Sequence, residues 1–360
     1  MTAHRSFRMR LHPSRPSRFL ALLLMALPLT GLAQHKRVLE YAGVNLAGAE
    51  FKSSQKPGRV FKDYTYPSDK DFAYFTAQGM NIVRLPFLWE RLQPEPKGEL
   101  DPTQLEMLTK TVDNAHQHGI ALLLDVHNYG QYNGQKIGSD AVPDAVFADL
   151  WARLAREPAL ANKPDVLFGL MNEPHGISAR TWARSAQAAI DAIREAGAKN
   201  LILVPGTAWS GAHSWNSASA GGGSSNADAL LAIRDPAHNL AFEAHQYLDK
   251  DSSGTKDTCV NEQVGVQRLE GFTRWLRKHH KTGFLGEFGA STRPECMAAL
   301  DGMLSYMEKN GDVWLGWSYW AAGAWWPPSY MFGVQPGRDG VDKPQMRILS
   351  RHARAVTSPH

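Results

Sequence analysis

Residues 166–174 have the sequence VLFGLMNEP, in which six residues without a polar side chain precede Asn172, Glu173 and Pro174. Near-continuous apolar runs are typical of parallel strands that are buried on both faces of a sheet. The stretch therefore predicts a buried parallel strand whose carboxyl end presents an amide and a carboxylate.

Seven further apolar runs are spaced along the chain at intervals of roughly forty residues. They are YAGVNL (41–46), NIVRLPF (81–87), IALLLDVH (120–127), LILVPG (201–206), LAFEAHQY (240–247), GFLGEFG (283–289) and VWLGWSYW (313–320). With residues 166–174 they predict eight parallel strands.

Amphipathic helices are predicted between the strands, because apolar residues recur at helical spacing. Three such faces are Phe147, Leu150, Trp151 and Leu154; Trp182, Ala189, Ile190 and Ile193; and Met297, Leu300, Leu304 and Met307. A glycine favours the left-handed cap that ends many helices, and glycines just before the next strand are Gly79, Gly119, Gly197, Gly283 and Gly311. Eight strand–helix repeats predict an α/β fold, a closed (β/α)8 TIM barrel in a single domain, with an open doubly wound sheet as the alternative.

The first 33 residues are typical of an export signal rather than of the fold. Five arginines precede an apolar run from Phe19 to Leu29, and the small residues Gly31 and Ala33 suit a signal peptidase that cleaves near Ala33. The apolar run is too short for a permanent membrane span. We expect a secreted protein, extracellular or periplasmic, with a barrel domain over residues 34–360.

Charge excludes two classes of partner. The chain has 39 Lys and Arg against 35 Asp and Glu. The signal contains five of the arginines and no acid, so the mature chain carries 34 basic and 35 acidic residues. With a net charge near −1, neither nucleic acid nor an anionic membrane surface is an expected partner.

Six of the eight predicted strands end in a charged, amide or aromatic side chain. Because catalytic groups of such barrels lie at the carboxyl ends of the strands, we expect them around one rim. They are Arg84, His127 with Asn128, Asn172 with Glu173, His245 with Tyr247, Glu287, and Trp320. Any one of them alone fits a structural role, but burying all of them without a function would be destabilising.

The two carboxylates, Glu173 and Glu287, predict glycoside hydrolysis. One acid protonates the leaving oxygen while a carboxylate acts on the other face of the sugar. Hydrogen bonds from Arg84 and Tyr247 would hold Glu287 ionised as the nucleophile, and Glu173 beside His245 would be the acid/base. A separation of about 5–5.5 Å between the carboxyl groups is expected for a retaining enzyme. Asn172 would donate to the sugar 2-hydroxyl.

These motifs resemble glycoside hydrolase family 5 of clan A, and in particular its endo-β-1,4-glucanases (cellulases). The resemblance rests on VLFGLMNEPH, FLGEFGA, GMNIVRLPFLWERLQP, LLLDVHNYG, HQYLD and GWSYWAAGAWW, in that order, and it covers essentially the whole mature chain. It implies a retaining endo-acting enzyme on β-glucan that needs no cofactor and no metal. It also implies that the site around Glu173 and Glu287 is lined by Arg84, His127, Asn172, His245, Tyr247 and Trp320.

Cys259 and Cys296 are the two cysteines of the chain. An even pair in an exported protein indicates a disulfide, with two free buried thiols as the alternative. The resemblance implies a disulfide that ties two loops beside the active site.

Tryptophans near strand ends are candidates for sugar stacking. They are Trp89, Trp209, Trp215, Trp325 and Trp326, of which Trp209 and Trp326 are the stronger candidates, while Trp151, Trp182 and Trp275 are expected in the core.

Three alternatives stay open for the function. The same chemistry on β-mannan, xyloglucan, lichenan (mixed-linkage glucan) or xylan differs only in the contacts to the sugar hydroxyls. A glycan-binding protein that has lost catalysis would need a damaged acid or nucleophile. A structural cell-wall protein would show repeats or anchors. A monomer is expected.

Overall fold

The computed structural model describes residues 1, 2, 4, 9, 10, 39–337 and 339–357. The apolar run of the predicted signal and the cleavage position near Ala33 lie outside the described residues. The segment Lys36–His360 forms one compact unit.

Eight parallel strands close into a barrel within this unit. Their bounds are β1 (Tyr41–Leu46), β2 (Ile82–Phe87), β3 (Ala121–Val126), β6 (Val166–Gly169), β7 (Ile202–Pro205), β8 (Leu240–His245), β9 (Gly283–Glu287) and β10 (Trp314–Ala322), and a small hairpin is formed by β4 (Gln131–Tyr132) and β5 (Gln135–Lys136). The order around the barrel is β1-β10-β9-β8-β7-β6-β3-β2, so that β1 pairs with β10 and closes the sheet. The predicted closed barrel is confirmed, and the open doubly wound sheet is excluded.

Helices follow the strands and cover the outside of the barrel. They are α1 (Asp69–Ala77), α2 (Trp89–Leu92), α3 (Pro102–Gln117), α4 (Asp144–Leu154), α5 (Ala179–Glu195), α6 (Asn226–Ala229), α7 (Val264–Lys278), α8 (Pro294–Lys309) and α9 (Met346–Thr357). All four residues of the predicted faces on α4 and α5 are fully buried, and on α8 only Met297 is half-buried. None of the helices in the described ranges has the length and apolar character needed to cross a bilayer.

Three of the five predicted glycine caps are confirmed: Gly79, Gly119 and Gly197 have φ values of 87°, 67° and 89°. The prediction is wrong for the other two, where other residues make the turn.

Gly283 is the first residue of β9, and the left-handed residue after α7 is His280, with a φ of 52°. At Gly283 a Cβ would lie 2.5 Å from Leu276 Cδ1, so the glycine serves close packing. Before Gly311, Asn310 ends α8 with a φ of −112°, and its side-chain Nδ2 donates to the carbonyl of Tyr306 at 2.8 Å.

The barrel interior is apolar at one level and charged at the next. Ile82, Leu123 and Ala241 belong to a buried apolar cluster inside the barrel. Side chains of a strand return to the same face every second residue, so the inward positions that follow on the same strands are Arg84, Asp125 and Glu243. A layer of buried charge thus lies on the apolar layer, directly below the carboxyl ends of the strands.

Candidate active site

Glu287 ends β9 and is 4% exposed. Arg84 Nη1 donates to Glu287 Oε1 at 2.9 Å, and the Tyr247 hydroxyl donates to Oε2 at 3.0 Å. The structure therefore contains both hydrogen bonds that were expected to hold this carboxylate in place.

Arg84 is the centre of the buried charge layer. Its guanidinium also lies 3.1 Å from Asp125 Oδ2 and 3.0 Å from Glu243 Oε1. Burial alone would lower the pKa of Arg84, but the surrounding carboxylates raise it well above its ordinary value, so the group is a permanent cation.

Two asparagines fix the guanidinium in place. Arg84 Nη1 donates to Asn45 Oδ1 and Nη2 donates to Asn172 Oδ1, both at 2.9 Å. Asn45 in turn donates through Nδ2 to the carbonyl of Gly286 at 2.9 Å, which links β1 to β9. The orientation of Glu287 therefore depends on contacts among several strands of the barrel.

Glu173 follows β6 and faces the same opening. Its φ is +41°, a left-handed conformation that is uncommon for a residue other than glycine. Strained backbone of this kind is concentrated at functional sites, where the surrounding structure holds it. Its carboxyl Oε1 accepts a hydrogen bond from His245 Nδ1 at 2.8 Å, and its side chain is 14% exposed.

One ligand atom each of Glu173, His245 and Glu287 lie within 4.8 Å of one another. Two carboxylates and an imidazole at this spacing could hold a metal ion if the imidazole had a free lone pair. His245 Nδ1 faces Glu173, however, and Nε2 lies 3.1 Å from Glu243 Oε1, so both ring nitrogens face carboxylate oxygens. The cluster is therefore better described as an ion-pair network than as a metal centre.

Charges shift the pKa values of His245 and Glu287. Burial alone would lower the pKa of His245, but Glu287, Glu173 and Glu243 raise it to about 10. Burial raises the pKa of Glu287 above its ordinary value, and the positive charges of His245 and Arg84 oppose that rise. The two cations thus favour the ionised form that a nucleophile needs.

His127 and Trp320 form one wall of the opening. The His127 ring stacks on Trp320 with centroids 5.5 Å apart and an interplanar angle of 12°. His127 Nδ1 lies 2.7 Å from Asp125 Oδ2, and Nε2 lies 3.3 Å from Asn172 Nδ2. Burial lowers the pKa of His127, and the contact with Asp125 outweighs that and raises it.

Asn128 differs from the other predicted site residues, because the structure places it away from the two carboxylates. Its Oδ1 accepts from the backbone N–H of Trp89 at 2.8 Å, and its Nδ2 donates to Glu90 Oε2 at 2.6 Å. Both partners belong to α2, so Asn128 fixes the start of that helix. A polar side chain that follows a strand can bind the free backbone N–H groups at the start of a neighbouring helix instead of pointing into the cleft.

Trp209 is an exposed platform on the Glu173 side of the opening. It is 56% exposed and stacks on His175 with centroids 4.7 Å apart. A cavity of about 540 Å³ is lined by Trp209, Glu173, His213, His245, Tyr247 and Asp251 among others. A larger groove of about 650 Å³ lies against α5, lined by residues such as Asp144 and Arg184, and contains neither carboxylate.

Trp326 lies near Trp320, with ring centroids 6.2 Å apart. Tyr330 stacks on its ring with centroids 4.1 Å apart, and Phe51 contacts it edge-on at 5.1 Å. One face of Trp326 is thus already covered, which limits it as a sugar platform.

The remaining tryptophans divide between core and surface. The prediction that Trp89 and Trp215 stack on sugar is wrong, because both are fully buried. Each packs on aromatic neighbours inside the fold. Trp325 is 38% exposed. The expected core positions of Trp151, Trp182 and Trp275 are confirmed.

Cys259 and Cys296 form the predicted disulfide, which excludes free thiols. It joins the loop after β8 to α8, and that loop contributes Asp251, Ser252 and Ser253 to the cavity beside Glu173. The disulfide thus secures one wall of the opening.

Sequence reasoning missed Asp125 and Glu243, the buried acids below the rim. Each lies two residues before a histidine, in Asp125-Val126-His127 and Glu243-Ala244-His245. In a strand this spacing puts acid and histidine on the same face. The pattern of an acid two residues before a strand-end histidine was therefore a signal in the sequence.

Comparisons with known proteins agree with this geometry. The family model described as cellulase (glycosyl hydrolase family 5) matches residues 42–323. Endo-beta-1,4-glucanase B of Emericella nidulans is 38% identical over 302 residues, covering 84% of this chain and 87% of its own length. The chain spans most of this relative.

Solved structures agree as well. The crystal structure of an endo-beta-1,4-glucanase from Xanthomonas axonopodis pv. citri is 57% identical, with a TM-score of 0.87, and covers 89% of this chain and 100% of that one. The structure of XacCel5A in complex with cellopentaose is 60% identical, with a TM-score of 0.85, and covers 87% and 99% of the two chains.

Proposed function

This chain belongs to the cellulase family, glycosyl hydrolase family 5, and we propose that it is an endo-β-1,4-glucanase that cleaves internal bonds of β-glucan with retention at the anomeric carbon. It is a glycoside hydrolase with a (β/α)8 barrel. The retaining mechanism, the substrate and the cellular location are the proposal.

The observation that carries the mechanism is the short gap between the two catalytic carboxylates. An oxygen of Glu173 lies within 4.8 Å of an oxygen of Glu287. Retaining glycosidases place their carboxyl groups about 5–5.5 Å apart, whereas inverting enzymes leave about 6.5–9.5 Å for a water molecule. The gap supports direct attack by one carboxylate rather than attack by an interposed water.

In the first step, a Glu287 oxygen forms a bond to the anomeric carbon while the glycosidic C–O bond breaks. The leaving oxygen takes the proton of Glu173, and Glu287 becomes a glycosyl ester. In the second step, a water oxygen bonds to the anomeric carbon, its proton passes to Glu173, and the ester bond to Glu287 breaks. Both carboxyl groups end in their starting states, and no further reactant is needed.

The residues around the gap divide into those that serve the nucleophile and those that serve the sugar. Arg84 and Tyr247 hold Glu287 through two hydrogen bonds. Asn172 Oδ1 accepts a hydrogen bond from Arg84, and we assign its amide N–H as the donor to the sugar 2-hydroxyl. Trp320, stacked on His127, offers an aromatic face to the sugar that Glu287 attacks.

The position of Glu173 sets the direction of the polysaccharide. Because Glu173 protonates the leaving group, the departing chain lies on its side, in the cavity of about 540 Å³ next to Trp209. The chain that stays on Glu287 lies on the side of Trp320 and Trp326. An opening with aromatic residues on both sides suits an internal bond of a long glycan.

The substrate class rests on the relatives. Their names describe endo-β-1,4-glucanases, and XacCel5A was solved in complex with cellopentaose. A reducing-sugar assay over carboxymethylcellulose, mixed-linkage glucan, xyloglucan, β-mannan and xylan tests this assignment. Highest activity on β-mannan or xylan would contradict it. Both carboxyl groups are present and face one opening, which argues against a glycan-binding protein that has lost catalysis.

Azide rescue tests the nucleophile and the acid/base separately. We expect Glu173→Gln and Glu287→Gln to lose at least about a thousandfold in activity. Azide added to Glu287→Gly with an activated aryl β-cellobioside should give the α-cellobiosyl azide, because azide then takes the place of the missing carboxylate. Azide added to Glu173→Gly should give the β-azide, because the intermediate on Glu287 still forms.

Glu90 supplies the control for the azide experiment. Glu90→Gln removes a buried acid that contacts Asn128 rather than the gap, and it should show no rescue by azide. Near-normal turnover by Glu287→Gln, or a β-azide from Glu287→Gly, would refute the assignment of the nucleophile.

We also propose that the enzyme is secreted, on the basis of the arginine-rich and apolar segment within residues 1–33. Expression of the full chain in a Gram-negative host, followed by fractionation and N-terminal sequencing, should find a mature protein that begins near residue 34. Full-length protein confined to the cytoplasm would contradict this proposal.

A further inference from the structure

His245 lies between carboxylates on both sides of its ring. Nδ1 is 2.8 Å from Glu173 Oε1 and 3.7 Å from Glu287 Oε2, while Nε2 is 3.1 Å from Glu243 Oε1. Ionised carboxylates only accept hydrogen bonds, and neutral imidazole has a single N–H. Donation from both nitrogens therefore requires the imidazolium form.

Glu243 supplies the negative charge on the Nε2 side. It is fully buried, and its Oε2 has no hydrogen-bond partner within the described part of the chain. Its Oε1 is also 3.0 Å from Arg84 Nε, but that N–H makes no hydrogen bond in the same described set. The donor that Oε1 accepts is therefore His245.

The close fit around Glu243 indicates that its position is specific. A Cβ on Gly286 would overlap the Glu243 Oε1 atom. Glycine at that point of β9 leaves the space through which the carboxylate reaches His245.

The other charges of the layer have partners of their own. Asp125 contacts His127 at 2.7 Å and Arg84 at 3.1 Å, and Arg84 contacts Glu287 at 2.9 Å. The charged and titratable groups that face His245 are Glu173 after β6, Glu243 on its own strand and Glu287 on β9, with Arg84 of β2 behind Glu243. None of the three carboxylates nearest to His245 could be removed without changing the charge balance at its ring.

We propose that Glu243 is a positioning residue that keeps His245 in its cationic form, so that one fixed cation stabilises negative charge first on Glu287 and then on Glu173. The inference rests on the double displacement proposed above. In that reaction Glu287 loses its charge when it forms the ester, and Glu173 gains charge when it gives up its proton. His245 Nδ1 faces both oxygens, so it needs no proton transfer of its own.

The second step depends most on this cation. During ester hydrolysis Glu173 must be ionised to act as the base, and His245 is the donor that contacts its Oε1. Without Glu243 the imidazole can become neutral, and a neutral ring stabilises the Glu173 carboxylate less. Loss of Glu243 should therefore slow hydrolysis of the intermediate more than its formation.

A spectrum of the resting enzyme tests the protonation state directly. In protein labelled with ¹⁵N-histidine, the His245 ring, assigned by comparison with His245→Asn, should show both nitrogens protonated at pH 8. In Glu243→Gln it should show a neutral tautomer at that pH. A neutral His245 in the wild-type enzyme at pH 8 would overturn the proposal, and this measurement needs no folded variant of Glu243.

Kinetics with a dinitrophenyl β-cellobioside separate the two steps, because this leaving group departs without protonation. For Glu243→Gln we expect kcat to fall by about tenfold or more and KM to fall with it, so that kcat/KM changes little. A burst of dinitrophenol should appear as the intermediate accumulates.

Asp125→Asn is the matched control. Asp125 is as deeply buried as Glu243, contacts the same arginine and lies two residues before a histidine, but that histidine does not contact Glu173. Its loss should lower kcat and kcat/KM together, without a burst. The same pattern in Glu243→Gln would refute the positioning role.

The ¹⁵N spectrum and the azide experiment test separate proposals, so either one can be contradicted without the other. A cationic His245 with no azide rescue would count against the double displacement, whereas a neutral His245 with normal rescue would count against Glu243 alone.

Discussion

At the residue scale, burial gives Glu50 unusual acid–base behaviour near the cleft. Burial raises the pKa of Glu50 to about 7, although the charge of His127 and a hydrogen bond from the Gly48 N–H, at 2.7 Å, both lower it. The nearby charge of Asp125 adds to the rise. An acid of this kind favours its neutral form in the folded protein.

Glu50 should therefore make the folded state less stable as the pH rises. Below pH 4.5 the group is protonated in both states. Between pH 4.5 and about 7 it ionises in the unfolded chain but not in the folded one, so the free energy of unfolding falls by about 1–3 kcal/mol. Urea denaturation at pH 4.5 and at pH 8 should show that the free energy of unfolding falls less between these two pH values in Glu50→Gln than in the wild type.

The exposed residue Glu95 supplies the control for this measurement. Glu95→Gln should keep the wild-type pH dependence, since Glu95 is exposed to solvent and is not among the charges that act on Glu50. An unchanged pH dependence in Glu50→Gln would show that Glu50 is not the group responsible.

Single residues could be predicted where their chemistry is tied to a position on the barrel. The positions of both glutamates and of Tyr247 could be predicted from the strand ends, because those ends must meet at one rim. Arg84 instead lies within β2 and reaches Glu287 from the layer below the rim. Asn128 also follows a strand, as Asn172 does, but its side chain binds the start of α2. Trp215 also lies near a strand end, as Trp209 does, but it packs in the core. Orientation after a strand ends depends on long-range neighbours, which a local pattern does not contain.

At the scale of elements, the loop after β1 depends on one buried side chain of α2. Arg91 donates to the carbonyls of Ala49, Phe51 and Pro57 at 2.6, 2.6 and 3.1 Å. Its guanidinium carbon also lies 3.9 Å from the centre of the Tyr64 ring. A segment without regular secondary structure thereby gains hydrogen bonds for one buried and two partly buried carbonyls.

Replacing Arg91 by Met should lower the free energy of unfolding by about 2–4 kcal/mol, because the buried carbonyl of Ala49 and two partly buried carbonyls lose their charged donor. Hydrogen exchange over residues 49–57 should become faster. Because Phe51 contacts Trp326, KM for cello-oligosaccharides should rise as well.

Arg59→Met tests whether the stabilising effect of Arg91 comes from its buried position or only from its positive charge. Arg59 belongs to the same loop, but its side chain is 67% exposed and pairs with Asp63 at 3.6 Å. Exposed ion pairs contribute about 0–1 kcal/mol. Equal destabilisation by the two substitutions would contradict the role given to Arg91.

Strand boundaries show where local patterns stop being informative. The runs at 166–174 and 283–289 were predicted as single stretches, but β6 ends at Gly169 and β9 at Glu287. The apolar character continues past these strand ends at Leu170, Met171 and Phe288, because the chain there is still buried. Burial and regular strand geometry end at different residues, and the apolar composition reports only burial.

At the scale of the whole molecule, the fold follows from the repetition itself. Eight apolar runs at similar spacing leave room for one helix each, and parallel strands joined in this way close once there are eight of them. The disulfide is the one covalent addition seen among the described residues. It spans 37 residues of sequence.

Removing the disulfide should cost about 4 kcal/mol of stability by the loop-entropy relation for a closed loop of this length. The double variant Cys259→Ser/Cys296→Ser should therefore unfold at a lower urea concentration than the oxidised wild type. Adding a reductant should bring the wild type to the midpoint of the variant and leave the variant unchanged. A wild type that keeps its midpoint after verified reduction would contradict the estimate.

The pairing of β1 with β10 predicts that the catalytic site is completed late in the synthesis of the chain. A nascent chain of residues 1–313 contains both glutamates, but Asn45 still lacks two carbonyls of β10, those of Ser318 and Tyr319, which accept hydrogen bonds from its Nδ2. Trp320 is missing as well. We therefore expect a nascent chain that ends before β10 to lack hydrolase activity, and activity to begin only once the first and last strands of the barrel have paired.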